Sequence, residues 1–397
     1  MVEATSRHWL RDREGDESAE VTYVELFFDL VFVFAITQLS HYLIDNLTAE
    51  GAMRALLLFL AVWWVWIYTS WVTNWLDPER TPVRLLIFAL MLAGLMMSIA
   101  LPGAFEDRGL AFALAYVAMQ VGRSFFMVWA LILARHDGRI NFQRVAVWLL
   151  LSGAFWIAGA FAEGDARFGL WTLAVGIELL SPSIGFWLPG LGRASPEDWD
   201  VEGPHFAERC GLFIIIALGE SLLLTGATLE EHEFTPANLA GLVAALATAV
   251  TMWWIYFDTG ARRGERALER SETPGRLAQI AYTYLHMPIV AGIVVTAVGD
   301  EKVLADPLGV SDWGVAATIL GGPALFLLGN LLFKMAVAGR LPLSHLAGLV
   351  VLLALALAPW VVEPLLLSWG STVALLVVAA LEWRLARSRT AAAAKVT

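Results

Sequence analysis

Four ionisable side chains lie in the middle of long apolar stretches, where a charge can bind an ion, carry a proton or hold an anion. They are Arg123, Glu178, Glu220 and His286, each 10 to 12 residues from a charged residue at the end of its stretch. That separation is about 15–18 Å along a helix, which places all four near one depth. Because an isolated charge is costly in hydrocarbon, we expect them to face the interior and to pair, Arg123 with Glu178 or Glu220. Histidine titrates near neutral pH, so His286 could relay a proton.

The same residues also fit a structural alternative, a buried salt bridge that fixes helix packing. One feature favours a ligand. Arg209 and Glu220 are 11 residues, or three helical turns, apart and therefore share one helix face. Gly219 and Ser221 flank this carboxylate, and small residues leave room for a ligand or for a second helix. We therefore add Ser221 to the four deep residues as a candidate substrate- or ion-binding set.

A second group of charges lies at the predicted cytoplasmic ends of the apolar stretches. Glu25 and Asp29 are four residues apart and should share one helix face. These carboxylates and arginines either pair to join helix ends or form a polar vestibule that a substrate uses. The vestibule candidates are Glu25, Asp29, Arg84, Glu208, Arg209, Asp258 and Arg276. Five further histidines are interpreted as solvated residues or helix caps near the interfaces: His41, His136, His205, His232 and His345.

The composition places these side chains in a membrane. Hydrophobic residues make up 58% of the 397-residue chain and charged residues 16%, and the mean hydropathy is +0.67. The apolar runs are about 20 residues long, the length of helix that crosses the hydrocarbon core. The composition predicts an all-α, polytopic membrane protein in a lipid bilayer. It excludes a disordered chain, a disulfide scaffold and a nucleic-acid binder, and the single cysteine, Cys210, has no intramolecular partner.

About twelve membrane-spanning helices are predicted. Their approximate ranges are 24–44, 52–75, 83–104, 110–134, 143–162, 167–189, 206–228, 237–258, 276–298, 314–337, 343–363 and 365–386. Only Glu363 and Pro364 separate the last two spans, so eleven spans are the alternative.

The basic residues orient these spans. With a cytoplasmic N-terminus, 21 of the 26 Lys and Arg residues fall in the tails and the even-numbered connections, and 4 fall on the opposite side. Because basic residues favour cytoplasmic loops, both termini are predicted to be cytoplasmic. The outer loops are acidic instead, with Glu230, Glu231, Glu233, Asp300, Glu301, Asp306 and Asp312. Arginine strongly outnumbers lysine, which suggests a GC-rich bacterial genome and hence the bacterial cytoplasmic (inner) membrane. The first 22 residues have no signal-peptide pattern, so the first span is the expected insertion signal.

Two pairs of short segments indicate an internal duplication. Residues 61–68 and 249–256 are identical at five of eight positions, and residues 81–85 and 273–277 at four of five. An even number of spans per half would make the repeats parallel, an arrangement in which transporters often place their site between the halves. The predicted organisation is a tail at 1–22, a six-helix repeat at 23–190, a linker at 191–204, a second six-helix repeat at 205–386 and a tail at 387–397.

Two motifs resemble those of a known family. They are ELFFDLVFVFAITQLS at residues 25–40 and HFAERCGLFIIIALGES at residues 205–221. Together with the Trp-rich second span and YLHMP at 284–288, they resemble the bacterial low temperature requirement protein A (LtrA) family over most of the chain. The resemblance implies a multi-span bacterial membrane protein with a role in growth in the cold. It implies no particular substrate and no catalytic residue.

Three functions stay open at this point. The leading hypothesis is a secondary-transporter-like carrier of a small solute or ion, coupled to protons through Glu220 and His286. The alternative is a membrane sensor or accessory protein in cold or envelope stress that does not transport. The third is an intramembrane lipid enzyme, in which Glu25 and Asp29 would bind Mg²⁺ and a diphosphate. No catalytic residue, metal site or cofactor is predicted, and an enzyme is the less favoured class.

Overall fold

A computed structural model of the chain describes residues 9–11, 20–232, 234–357 and 362–393. Within these ranges the regular structure is helical, apart from isolated bridges that pair Leu10 with Leu76 and Leu188 with Gly192. The predicted all-α class is confirmed. Most of the predicted tail at 1–22, the acidic-loop residue Glu233 and the end of the C-terminal tail lie outside the described residues.

The described residues form fourteen α-helices. They are α1 (Tyr23–Asp45), α2 (Ala49–Trp75), α3 (Thr81–Ala100), α4 (Gly109–Leu133), α5 (Arg139–Ala160), α6 (Gly164–Leu180), α7 (Gly203–Glu230), α8 (Pro236–Trp254), α9 (Arg262–Glu269), α10 (Pro274–Leu277), α11 (His286–Ala305), α12 (Trp313–Ala338), α13 (Leu343–Leu355) and α14 (Pro364–Ala393).

Ten helical segments in the described ranges are long and apolar enough to cross a membrane. They are Tyr23–Asp45, Ala49–Trp75, Thr81–Gly103, Gly109–Leu133, Arg139–Ala160, Gly203–Glu230, Pro236–Glu269, Pro274–Ala305, Trp313–Ala338 and Pro364–Leu385. The chain is therefore a multi-pass membrane protein. The predicted sixth and eleventh spans correspond to shorter helices, α6 with 17 residues and α13 with 13.

The predicted sixth span at 167–189 extends too far, because α6 ends at Leu180. Pro182 follows almost at once and has no backbone N–H to donate. Gly185 and Phe186 then adopt positive φ angles of 64° and 51°, which reverse the chain. A side chain at Gly185 would place its Cβ 2.4 Å from the carbonyl oxygen of Ala194, so glycine is required in this turn.

Two of the long segments change from α-helical to π-helical hydrogen bonding. The first π stretch, Ile255–Ala261, joins α8 to α9, and the second, Ala278–Tyr284, joins α10 to α11. π stretches within α-helices are rare and frequently lie at functional sites.

The chain divides into two compact units. Of the described residues, unit 1 contains 9–11, 20–42, 49–209 and 271–278, and unit 2 contains 43–48, 210–232, 234–270, 279–357 and 362–393. In unit 1, α3 to α6 pack in sequence order and α2 packs against α4 and α6. The helix α2 is the most deeply buried of the membrane segments, with 83% of its most apolar window inside the protein.

Unit 2 is built on the pair α11 and α12, with α8, α13 and α14 packed against them or each other. The backbones of α11 and α12 approach closely at glycines. A Cβ on Gly292 would lie 2.4 Å from the backbone nitrogen of Phe326, and one on Gly322 would lie 2.5 Å from that of Thr296. Small residues of this kind let membrane helices pack at short separation.

Candidate functional site

Four side chains from α1 and α7 meet in unit 1 and are fully buried. They are Glu25, Asp29, His205 and Arg209, and we call them the Asp29 cluster. Nη2 of Arg209 lies 2.8 Å from Oδ1 of Asp29, and Nη1 lies 3.5 Å from Oε1 of Glu25. The two carboxylates reach the same guanidinium because their four-residue spacing puts them on one face of α1.

The carboxylate of Glu25 is well supplied with donors. Arg11 donates to Oε2 from Nη2 at 3.0 Å, and the backbone nitrogen and hydroxyl of Thr22 donate to the same oxygen at 3.0 Å each. His205 Nε2 lies 3.0 Å from Oε1. Arg11 belongs to the described stretch at residues 9–11, so this stretch is attached to a buried carboxylate of α1.

The ring of His205 is oriented by Asn74. The Asn74 amide is oriented by the backbone of Glu202, whose N–H donates to Oδ1 at 3.0 Å and whose carbonyl accepts from Nδ2 at 2.9 Å. Nδ2 therefore also donates to His205 Nδ1 at 3.1 Å. Nε2 of His205 lies 3.0 Å from Oε1 of Glu25 and 3.0 Å from Nη2 of Arg11. A second proton on Nδ1 would face an N–H donor. Of the two alternatives for His205, a solvated residue or a helix cap, the solvated residue is wrong because the side chain is fully buried.

Asp29 and Arg209 keep unused hydrogen-bonding capacity. Oδ1 of Asp29 accepts from Nε1 of Trp66 at 2.8 Å and from Arg209. Oδ2 of Asp29, and Nε and Nη1 of Arg209, are buried without a hydrogen-bond partner among the described residues. Buried polar atoms without partners are costly, and they indicate where a water, an ion or a polar solute fits.

Glu178 lies at the centre of a second cluster in unit 1 and is 1% exposed. Tyr116 and Gln120 of α4 donate to Oε2, Gln120 from Nε2 at 3.2 Å. Ser152 and Trp156 of α5 donate to Oε1 at 2.6 Å and 3.2 Å. We call these five residues the Glu178 cluster. Four neutral donors satisfy both carboxylate oxygens.

Arg123 reaches Glu178 only through Gln120. Nη2 of Arg123 donates to Oε1 of Gln120, whose Nε2 donates to Glu178. Nη1 donates to the carbonyl of Val65 at 3.1 Å and to the hydroxyl of Thr69 at 2.9 Å. The predicted direct pair of Arg123 with Glu178 is absent from the described residues, because an amide lies between the two charges.

Glu220, Ser221 and His286 belong to unit 2 and are all buried. Nδ1 of His286 lies 2.9 Å from the carbonyl of Ala281 in the second π stretch, and Nε2 lies 2.8 Å from the hydroxyl of Tyr256 in the first. A carbonyl only accepts, so Nδ1–H donates and Nε2 accepts from Tyr256. Because a hydroxyl can turn and accept instead, His286 can take a second proton and keep both partners.

Among the described residues of unit 1, the other predicted vestibule residues do not join the Asp29 cluster. Glu208 is exposed and accepts from the backbone nitrogen of Val21 at 3.3 Å. Arg84 donates to the carbonyl of Glu79 at 3.1 Å, and Arg276 is exposed on α10. In unit 2, Asp258 pairs with Arg262 one turn further along the chain, at 3.3 Å.

The sequence analysis missed a buried charged cluster in unit 2. Nζ of Lys334 lies 2.5 Å from Oε2 of Glu382 and 3.4 Å from Nε2 of His345, and it donates to the carbonyl of Ile255 at 3.1 Å. His345 is fully buried, so its interpretation as a solvated residue is also wrong. Here a cation, a carboxylate and a histidine close on each other. In the described ranges no three His, Cys, Asp or Glu side chains are arranged to hold a metal ion.

Comparison with known proteins gives a consistent result. A family model described as "Bacterial low temperature requirement A protein (LtrA)" matches residues 20–380. Over 351 residues the chain is 43% identical to the "Uncharacterized protein RA0937" of Rhizobium meliloti (strain 1021). The matched region covers 87% of this chain and 85% of that protein. No solved structure matches the chain.

Proposed function

We propose that the chain, which belongs to the bacterial low temperature requirement A (LtrA) family, is a secondary-transporter-like carrier of a small solute or ion. The family description specifies no substrate, so the proposal is argued from the buried charges. In this proposal α6 and α13 complete twelve spans, arranged as two parallel six-helix repeats in the bacterial cytoplasmic membrane. Both termini are cytoplasmic. The distribution of the basic residues and the two pairs of matching segments support this arrangement.

The observation that carries the proposal is the incomplete bonding of the Asp29 cluster. A protein that needed these charges only to join helices would be expected to satisfy them, since a buried unpaired polar atom costs about 1–3 kcal/mol. Here one carboxylate oxygen and two guanidinium nitrogens, all buried, have no hydrogen-bond partner among the described residues. The motif residues thus present an acceptor and donors side by side within a membrane segment.

Such a pair suits a small solute or ion that competes with an existing contact. A cation or a donor group would bind Oδ2 of Asp29, and an anion or acceptor group would bind Nε of Arg209, since neither atom has a hydrogen-bond partner among the described residues. Either ligand would weaken the Asp29–Arg209 contact, while Glu25 continues to hold the other side of the guanidinium at 3.5 Å. Ligand binding is thereby linked to the connection between α1 and α7.

Coupling to protons is assigned to unit 2. His286 has partners compatible with two protonation states, and Glu220 with Ser221 adds a buried carboxylate and a hydroxyl on α7. Arg123 and Glu178 are given a positioning role in this proposal, because their hydrogen bonds connect α2, α4, α5 and α6 and satisfy both oxygens of Glu178, although Nε of Arg123 has no partner among the described residues.

The test is flux into liposomes that contain the purified full-length protein. Labelled amino acids, sugars, organic acids and alkali cations are offered with and without an imposed pH gradient. We expect uptake of one class of solute. This uptake should be lost in Asp29→Asn, and it should depend less on the pH gradient in His286→Ala and Glu220→Gln.

Glu50→Gln is the matched control, because Glu50 forms an exposed ion pair with Arg54 on α2. It should leave flux unchanged. Equal uptake by wild type and Asp29→Asn would exclude the Asp29 cluster as the solute-binding site. Absence of uptake for every class removes the carrier function.

The attachment of Arg11 favours a second candidate, a sensor or accessory protein that does not transport. Trp9 stacks on Phe126 and packs edge-on against Trp129, and Arg11 binds the buried carboxylate of Glu25, so residues 9–11 are bound to unit 1. In a sensor, release of this segment would be the signal. A partner that is captured by the Arg11→Ala variant and not by wild type, together with no flux, would favour this function.

A further inference from the structure

Asp300 is a buried carboxyl group that none of the roles above uses. It was expected in an acidic outer loop, but it lies within α11, five residues before the helix ends at Ala305. Its side chain is 6% exposed, and Oδ2 has no hydrogen-bond partner among the described residues. The ion pairs formed by the described residues do not include Asp300.

The contacts between α11 and α12 show which groups lie level with Asp300. Gly292 approaches Phe326, and Gly299 approaches Ile319, so the two helices run antiparallel. Asp300 is therefore level with about Thr318 of α12. The one ionisable residue of α12 is Lys334, 16 residues beyond Thr318. That separation is about 24 Å along the helix.

The other helices packed against α11 also bring no charge to this level. The sequence of α8 contains no ionisable residue. In α14 the first ionisable residue is Glu382, which pairs with Lys334 and so lies at the distant end. On α11 itself, Glu301 and Lys302 follow Asp300 at the next two positions, which turn away from it around the helix.

We propose that Asp300 is a proton-binding site of unit 2, in which the carboxyl group is an uncharged acid at neutral pH and exchanges its proton at the end of α11. An ionised carboxylate would be buried without a counter-charge, and such a group neutralises rather than remaining charged. A metal cation is disfavoured because, among the described residues, no three His, Cys, Asp or Glu side chains are arranged to hold one and Glu301 turns away around the helix. Proton binding by Asp300 does not depend on the proposed function. Only the identification of the proton as the coupling ion rests on that function.

The experiment is infrared difference spectroscopy of the full-length protein in phosphatidylcholine vesicles, between about pH 6 and about pH 9. A protonated carboxylic acid has a carbonyl stretching band that carboxylates lack. We expect this band at the lower pH, reduced at the higher pH, and missing from Asp300→Asn. The matched control Glu301→Gln, at the neighbouring position, should keep the band.

An unchanged band in Asp300→Asn overturns the proposal. Loss of the band on adding NaCl at constant pH also overturns it, since that outcome identifies a cation site. Thermal unfolding of Asp300→Asn shows whether the variant folds, and an amide in place of a neutral acid should do so.

Flux separates this site from the carrier function. If the band assigns to Asp300 and no solute class is taken up, the proton site stands and the carrier function fails. If uptake occurs and Asp300→Asn keeps its full response to the pH gradient, the coupling role of Asp300 fails.

Discussion

Asp29 and Glu178 are both carboxylates buried in the membrane helices of unit 1, yet their surroundings differ in kind. Glu178 has four neutral donors, two on each oxygen, and its nearest cation is reached through an amide. Asp29 contacts a cation directly and leaves one oxygen without a partner. Glu178 has both oxygens satisfied by hydrogen bonds, whereas Asp29 keeps one oxygen that a ligand can bind.

This difference teaches that depth in the membrane does not by itself separate structural from functional charges. Both carboxylates would be costly without partners. What separates them is how many of their lone pairs the protein uses. The predictions below change this count at one carboxylate or the other and compare stability with flux, from the largest effect on stability to the smallest.

Arg209→Leu should have the largest effect on stability. It leaves Asp29 and Glu25 without the guanidinium they share, and removing one partner of a buried charged contact costs about 3–5 kcal/mol. The measurement is the free energy of unfolding in mixed detergent micelles. A loss below about 1 kcal/mol would show that Arg11 and water stabilise the two carboxylates without Arg209.

Glu178→Gln should come next, with a loss of about 2–4 kcal/mol. The new amide nitrogen would face two of the four donors, so hydrogen bonds become donor–donor contacts. The same unfolding measurement applies. If the variant is as stable as wild type, Glu178 carries a proton and the closed network has been assigned wrongly.

Asp29→Asn should cost less in stability, about 1–2 kcal/mol, while abolishing flux. The retained oxygen can still accept from Trp66 and Arg209, and the new nitrogen occupies the position of an oxygen that has no partner. Unfolding and uptake are measured on one preparation. A variant that loses stability as much as Glu178→Gln and keeps its flux would reverse the comparison.

Trp66→Phe and Trp156→Phe form the smallest and most closely matched test. Each removes one indole N–H, at 2.8 Å from Asp29 and at 3.2 Å from Glu178. We expect about 1 kcal/mol for Trp66 and less for Trp156, because Glu178 keeps three donors and Asp29 keeps one. Equal losses would mean that the number of remaining donors does not matter.

The sequence predicted the helices and the paired carboxylates of α1 because both follow from local spacing. The run lengths predicted the ten long segments of the described residues, together with two further spans where the structure has the shorter helices α6 and α13. The four-residue separation of Glu25 and Asp29 put them on one face. The end of α6 was placed too late, since hydropathy continues through residues 181–189 while the backbone has already turned.

The partners of these charges could not be predicted, because they come from distant parts of the chain. Trp66 and Asn74 are 37 and 131 residues from the groups they bind, and no local pattern identifies them. His205 and His345 lie near helix starts and were interpreted as solvated residues or helix caps, whereas packing buries both side chains. One signal was available: Tyr116, Gln120 and Arg123 follow helical spacing and mark a polar face on α4.

The first π stretch has a consequence for comparing this chain with its relatives. A π-helical turn bonds one residue further along than an α-helical turn, so it accommodates one additional residue. Relatives that keep an ordinary α-helix through Ile255–Ala261 should be one residue shorter there, and an alignment without a gap would rotate Tyr256 away from His286 by about 100°. The pairing of this tyrosine with the histidine is therefore tied to a length difference, which can be read in related sequences as an insertion.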